Sequence, residues 1–355
     1  MTDKEQLKGE YSRYTYRKAL FVVFCVGFVF FLFFVSLCVG TLELSPSEVY
    51  SLVIRHIRGE ITNERTDIFN DNVVWNFRIP RALFAIIAGA SLSIGGVVMQ
   101  SVMKNPLADP YTTGVSSGAM FGVAVAMIMG FSIVGTGSIG VVFNSILFSM
   151  LPIILIVVMA PFFRKSPASL ILAGVALSYL FNSFTSLLMV ATDSSTMAGV
   201  YRWLVGNLTD LTWDSIPISL TTTIIGLLIL IPLSGKLNLM SLEDKDAKSL
   251  GLDVETLRVI CLAILGFMTS VVISYAGIIG FVGLVVPHMI RMVIGADNRF
   301  LMPAAGAFGA VFLLGCDILA RAINIGVSIP VGVVTSAIGA PIFLYLIIKQ
   351  KRSMW

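Results

Sequence analysis

Arg78 and Arg81 stand three residues apart in the run Arg78-Ile79-Pro80-Arg81, and Arg321 stands four residues after Asp317. A guanidinium carries five donors in a rigid fork and holds carboxylates or phosphates by charge-assisted hydrogen bonds. The spacings put Arg78 with Arg81, and Asp317 with Arg321, on common helix faces. Two roles suit arginines so placed. One is anchorage, with the charges snorkelling to lipid phosphate. The other is docking of an acidic partner, for which Arg321 has donors left over after pairing with Asp317. Two guanidiniums at a helix N-terminus are electrostatically odd, because cations favour C-termini.

Covalent chemistry lacks its residues. The chain has two histidines, His56 and His288, and no paired carboxylates or nucleophile–base sets fall within its apolar stretches. Cys25, Cys38, Cys261 and Cys316 sit in apolar runs without ligand spacing and read as small core residues, so no metal site is expected. Nothing matches Gly-x-x-x-x-Gly-Lys-Ser/Thr, so no P-loop holds ATP phosphates here.

Three further segments stand out. Gln100 precedes Asn105-Pro106-Leu107-Ala108-Asp109-Pro110, where Pro106 and Pro110 forbid a continuous helix. This is either a connecting loop or broken backbone lining a cavity, which is tolerated at membrane depth only when covered by protein or water. Ser178, Asn182, Ser183, Thr185 and Ser186 make one span unusually polar, as helix–helix glue or as the lining of a path. In the stretch 236–255, Leu242, Ala247 and Leu250 fall near helical spacing among Asp246, Lys248 and other charges, with Gly251 as a stop. It reads as a pair of short amphipathic helices offered to a partner groove.

The elements that position these residues follow from composition. Of 355 residues, 57% are hydrophobic and 12% charged, about half the charge of an ordinary soluble domain. That excludes a soluble enzyme, a disordered chain and an ordinary nucleic-acid binder, and implies an all-α polytopic membrane protein. Ten candidate spans run over 19–40, 82–103, 114–130, 139–163, 168–191, 214–235, 256–276, 278–295, 301–321 and 330–348. The first ends without a small-residue cleavage site and reads as retained. With the N-terminus inside, only Arg55, Arg58, Arg65, Arg78, Arg81, Arg202 and Arg321 of the 24 lysines and arginines fall outside, so both termini are expected in the cytoplasm. The reading gives a tail at 1–18, one membrane domain at 19–348 and a tail at 349–355. An outer loop covers 41–77, in which Ser45-Pro46-Ser47-Glu48 signals a capped helix start.

Together these residues resemble the permease subunits of ABC importers for iron–siderophores, haem and cobalamin, the FecCD type. The resemblance covers nearly all of 15–350. It rests on Arg78 to Arg81 with Gly89-Ala90, Gly95 to Gln100 and Asn105 to Ala108; on Gly277-Ile278-Ile279-Gly280-Phe281-Val282-Gly283 through Pro287-His288 and Arg291; and on Asp317, Arg321, Pro330 to Val334 and Gly339-Ala340-Pro341. It implies the type II importer permease architecture, a second permease copy in a homodimer or heterodimer, two cytoplasmic P-loop ATPase subunits and an external binding protein. ATP and magnesium would then belong to the ATPase, and this chain would carry no cofactor. By the resemblance, Arg78, Arg81 and Arg321 receive acidic residues of the binding protein. Leu242, Asp246, Ala247, Lys248, Leu250 and Gly251 form the coupling element for the ATPase. Gln100, Asn105, Pro106, Ser178 and Asn182 are candidates for the translocation pathway and inner gate. The commonest cargo of the family is an iron–siderophore; haem and corrinoid chelates share the motifs.

Three positions depart from the family pattern. Ser328 stands where an acidic residue is frequent, Glu243 replaces a glycine and Asp244 a glutamate. The rival reading is an ion-coupled secondary transporter, which calls for charges near the bilayer midplane; here they cluster at span ends.

Overall fold

A computed structural model describes residues 3–42, 44–61, 64–159, 167–323 and 329–353, with side chains within those ranges from Tyr14 to Lys349. Glu43, Arg164, Lys165 and Ser328 lie outside the described residues. The chain forms α1 (Asp3–Cys38), α2 (Pro46–Arg58), α3 (Arg65–Asn72), α4 (Ile79–Val102), α5 (Val115–Met129), α6 (Gly137–Met159), α7 (Pro167–Val190), α8 (Ser194–Leu204), α9 (Ser215–Leu230), α10 (Ser234–Leu239), α11 (Asp244–Ser249), α12 (Val254–Ala276), α13 (Val282–Ile294), α14 (Asn298–Ala322) and α15 (Val331–Ser353). Among the described residues, seven helical stretches are long and apolar enough to cross a membrane, and α5, α9 and α13 are shorter apolar helices. These ten coincide with the ten expected spans. The segment 1–18, expected as a tail, is helical from Asp3 and continuous with the first span.

α4 is the central helix. The most apolar window of its stretch is 83% buried, against 17% for α1, so α4 is walled by protein while α1 presents an apolar face outward. Its neighbours approach closely because small residues meet. A Cβ on Gly89 would stand 2.3 Å from the Gly309 carbonyl oxygen of α14, and one on Gly96 would stand 1.8 Å from that of Gly283 in α13. Membrane helices have little hydrophobic drive to associate, so such packing carries much of the stability.

α4 does not begin at Arg78. The helical stretch runs on outward through a π turn, Val73–Arg78, into α3, and the Ile79 amide donates to the Val74 carbonyl five residues back. The wider turn takes up the break that Pro80 makes, since proline offers no amide hydrogen.

α13 is too short to cross alone. The segment 277–281 completes its course as irregular backbone covered by residues 205–207. Asn207 N donates to Ala276 O at 2.7 Å and Gly206 N to Ile278 O at 3.1 Å. Gly277 (φ 71°) is required here, because a Cβ would meet the Trp203 carbonyl at 2.1 Å. Non-helical backbone at this depth survives because it is covered and hydrogen-bonded.

Candidate functional site

Two clusters lie at opposite ends of α4. At the first, α1 stops at Cys38, and the last carbonyls of a helix have no partner inside it. Arginines from elsewhere supply the donors. Arg78 donates to Leu37 O at 2.7 Å and to Leu42 O at 2.5 Å. Arg321 donates through Nη1 to Ser36 O at 2.8 Å and Val39 O at 2.7 Å, and through Nη2 to the Ser36 hydroxyl. Their charges also face the negative end of the α1 dipole. The oddity of cations at the start of α4 disappears, since they serve the end of α1.

Arg81 donates through Nε to Asp317 Oδ1 at 2.8 Å and through Nη1 to Thr209 Oγ1 at 3.4 Å. Arg321 Nη2 lies 2.8 Å from Asp317 Oδ2, the i,i+4 pair expected from the sequence. The three expected docking arginines therefore converge, but they are largely buried and hold this chain's own groups. Of the Arg321 donors left over after pairing with Asp317, Nη1 and Nη2 serve the end of α1, and Nε has no hydrogen-bond partner among the described residues.

Beside this cluster, the expected cap is present. Ser45 Oγ accepts from Glu48 N at 3.3 Å. The Ser45 hydroxyl and the Ser45 amide each donate to Glu48 Oε2 at 2.7 Å, and these two bonds, the hydroxyl's first, hold the Glu48 carboxyl below its ordinary range. Arg55 Nη1 pairs with Asp67 at 2.7 Å. His56 lies 2.9 Å from Asp71 and stacks on Trp75 with ring centroids 3.9 Å apart. Trp213 donates to Trp75 O at 2.9 Å. The loop 41–77 is thus pinned to the bundle.

At the other end of α4, the segment after Val102 turns back into the protein, and Pro110 lies 3.4 Å from where a Cβ on Gly95 would stand. Ala108 and Pro110 are buried while Leu107 between Pro106 and Ala108 is exposed, so the segment is covered in part. Gln100 is buried and donates to Leu284 O at 3.2 Å. Asn105 Oδ1 accepts from Leu107 N at 2.9 Å, fixing the turn at Pro106. Ser178 Oγ donates to Gly174 O at 2.8 Å within α7, and Ser183, Thr185 and Ser186 make the same backward bond. Of the five pathway candidates, Asn182 is the exposed one, on a wide face of α7 with Tyr179, Ser183 and Leu187.

The stretch 236–255 forms α10 and α11, the expected helix pair, six residues each. Gly251 stops α11 at φ 84°. Leu242, Asp246, Lys248 and Leu250 are exposed, whereas Ala247 is buried against its own chain. Ala247 therefore seats the helix and is not offered to a partner, which corrects the expectation for that residue. Lys248 pairs with Glu255 at 2.5 Å.

Sequence reasoning missed the anchor of α11. Lys104 Nζ lies 2.6 Å from Asp244 Oδ1 and also donates to Leu242 O. Arg258 Nη2 lies 3.3 Å from each Asp244 oxygen, and its Nε donates to Val102 O at 3.4 Å. One signal was available: Arg258 falls inside the candidate span 256–276, and a cation there requires a partner. Burial alone would raise the Asp244 pKa, but the Lys104 hydrogen bond and the two cations outweigh it and hold the carboxyl below its ordinary value. Among the described residues, no group of three or more His, Cys, Asp or Glu could hold a metal.

The model of the FecCD transport family matches residues 28–349. The chain is 35% identical to the hemin transport system permease HmuU of Yersinia pestis, over 79% of this chain and 84% of that protein. It is 33% identical to the molybdate import permease MolB of Haemophilus influenzae, over 90% and 92%. It is 37% identical to the cobalamin import permease BtuC of Halobacterium salinarum, over 78% and 73%. Among solved structures, one described as an inward-facing conformation of a metal-chelate type ABC transporter matches with TM-score 0.80 and 31% identity, covering 92% of this chain and 98% of that one. The chain belongs to the FecCD transport family: it is a multi-pass membrane permease subunit of an ABC importer, carries no cofactor and is not itself an ATPase.

Proposed function

We propose that this permease moves a metal chelate, an iron–siderophore in the first instance, inward between two permease copies. An external binding protein delivers the chelate and two cytoplasmic ATPases drive the step. Both termini then lie in the cytoplasm, the arginine cluster faces outward and α10–α11 face the ATPase. The observation that carries the reading is the exposed pair Leu242 and Leu250 flanking α11, on a chain whose relatives are importer permeases. Apolar side chains in a charged cytoplasmic segment suit a partner's groove.

On the outer face, Arg78, Arg81 and Arg321 surround one carboxylate, Asp317. The cluster keeps an excess of positive charge, and Arg321 Nε has no hydrogen-bond partner among the described residues. Such a field orients and speeds encounter with an acidic surface. Docking by these residues therefore acts through the field first, with any direct contact following a rearrangement.

For cargo, α7 contains no Asp, Glu, Lys or Arg and exposes Tyr179, Asn182, Ser183 and Leu187. A neutral, mixed surface suits a bulky, partly apolar chelate better than a small dianion, which would call for cations. The molybdate permease among the relatives makes molybdate the second reading.

Affinity capture from native membranes in mild detergent tests the proposal, with mass spectrometry of the proteins and metal and optical analysis of the captured material. A P-loop ATPase and a binding protein carrying an iron chelate are expected. Capture of the permease alone, stable and without partners, would overturn the proposal in favour of an ion-coupled transporter. Molybdenum on the binding protein would replace the cargo.

A further inference from the structure

α11 has six residues, far fewer than a helix needs to persist unaided in water. Something else must hold it, and the manner of holding decides what it can transmit. Ala247 packs beneath it. At its first residue, Asp244 points its carboxylate back at the protein and meets two cations from two other elements.

Each cation is tied to more than Asp244. Arg258, in the first turns of α12, is 2% exposed, and its Nε reaches Val102 O, the last residue of α4. Lys104 follows α4 by two residues and adopts φ 51°, a left-handed conformation disfavoured for side chains with a Cβ. From there its ammonium takes both Asp244 and the Leu242 carbonyl. A buried guanidinium deprived of its carboxylate is strongly penalised, so Asp244 is the counter-charge for a junction of three elements. The ion pairs Lys248–Glu255 and Arg299–Asp297, in the same region, join near neighbours in the chain.

We propose that Asp244 is a positioning residue of transport: it locks α11 to α4 and α12, so that motion imposed on α11 moves the inner end of α4 with it. The proposal rests on the coupling reading of α11 given above. α4 then carries the motion along one unbroken helix to Arg81 near its other end.

The test places spin labels at Leu107, just beyond α4, and Ser249, at the end of α11, both exposed, in a Cys38→Ser background. Labelled chain is mixed with excess unlabelled chain so that the two copies of one assembly rarely both carry labels, and the permease is purified with its ATPase and placed in nanodiscs. Distances are measured by double electron–electron resonance without nucleotide and with Mg-ATP plus vanadate. The parent chain is expected to give one narrow distance in both states. Asp244→Asn is expected to keep that distance without nucleotide and to gain a second population, displaced by about one helical turn, ~5 Å, with nucleotide. Asp244→Glu is expected to restore the single distance. An Asp244→Asn chain with one narrow distance in both states would overturn the proposal. So would a distribution already broad without nucleotide, which would mark a purely local structural role. If the parent chain retained no ATPase, the coupling reading itself would fall, and this proposal with it.

Discussion

Arg81 of α4 donates to Asp317 of α14 at 2.8 Å across 236 positions of sequence, and Asp317 is fully buried. That carboxylate also lies 2.8 Å from Arg321. It is the counter-charge that lets two guanidiniums sit inside the bundle. Asp317→Asn keeps the shape and removes the charge. It is expected to cost about 3 kcal/mol, read as a clear fall in thermal unfolding temperature in detergent. Arg299→Ala, at a pair where Arg299 is 59% exposed, serves as the control and is expected to change stability by less than about 1 kcal/mol. Equal effects would contradict the role given to Asp317.

Arg78 holds the end of α1 through Leu37 O and Leu42 O. In Arg78→Ala those carbonyls lose a charged donor, a change of about 1.5–3 kcal/mol. The end of α1 should open more often, and Cys38, which lies there, should react at least about tenfold faster with a maleimide. Arg202→Ala, in exposed α8, should leave the rate unchanged.

The nearest contacts of Gly89 and Gly96 in α4 are backbone against backbone and cannot yield by rotation of a side chain. Gly96→Ala would place a methyl 1.8 Å from Gly283 O, and a cost of about 3 kcal/mol or more is expected. Gly27→Ala, with nothing within 4 Å, should be tolerated. Yield of monodisperse protein after solubilisation separates the two.

The Asp244 lock should respond to acid in one direction only. Its pKa is held below the ordinary 3.8. A carboxyl lowered by folding stabilises the folded state above its unfolded pKa, and the contribution is lost as pH falls through the lowered value. With Mg-ATP plus vanadate bound, the Leu107–Ser249 distance should therefore stay single from pH 8 to about pH 5 and gain the second population only below about pH 4. Broadening near neutrality would contradict this ion pairing.

Much of the fold was legible because its signals are local. Hydropathy placed the ten apolar elements, and Ser45 with Glu48 announced the start of α2 from four adjacent residues. The partners of the arginines were not legible. Arg78 and Arg321 bind backbone carbonyls 41 and 285 positions away, and every residue has a carbonyl, so side-chain identity gives no hint. The π turn that absorbs Pro80 depends on how α3 packs and has no local signal. Ala247 matched the apolar spacing of Leu242 and Leu250, yet spacing alone could not tell the residue that seats α11 from those left exposed.

The coupling role of 236–255 rests on the exposed leucines beside α11. The most direct measurement is retention of the P-loop ATPase by affinity-captured permease carrying Leu242→Asp and Leu250→Asp, compared with the parent chain. Both side chains are exposed, at 40% and 63%, so the variant should fold and reach the membrane in normal amount. The parent is expected to retain the ATPase and the variant to lose it, with the monodisperse elution profile unchanged. A correctly folded variant that keeps the ATPase at the parent level would contradict the coupling role of this segment.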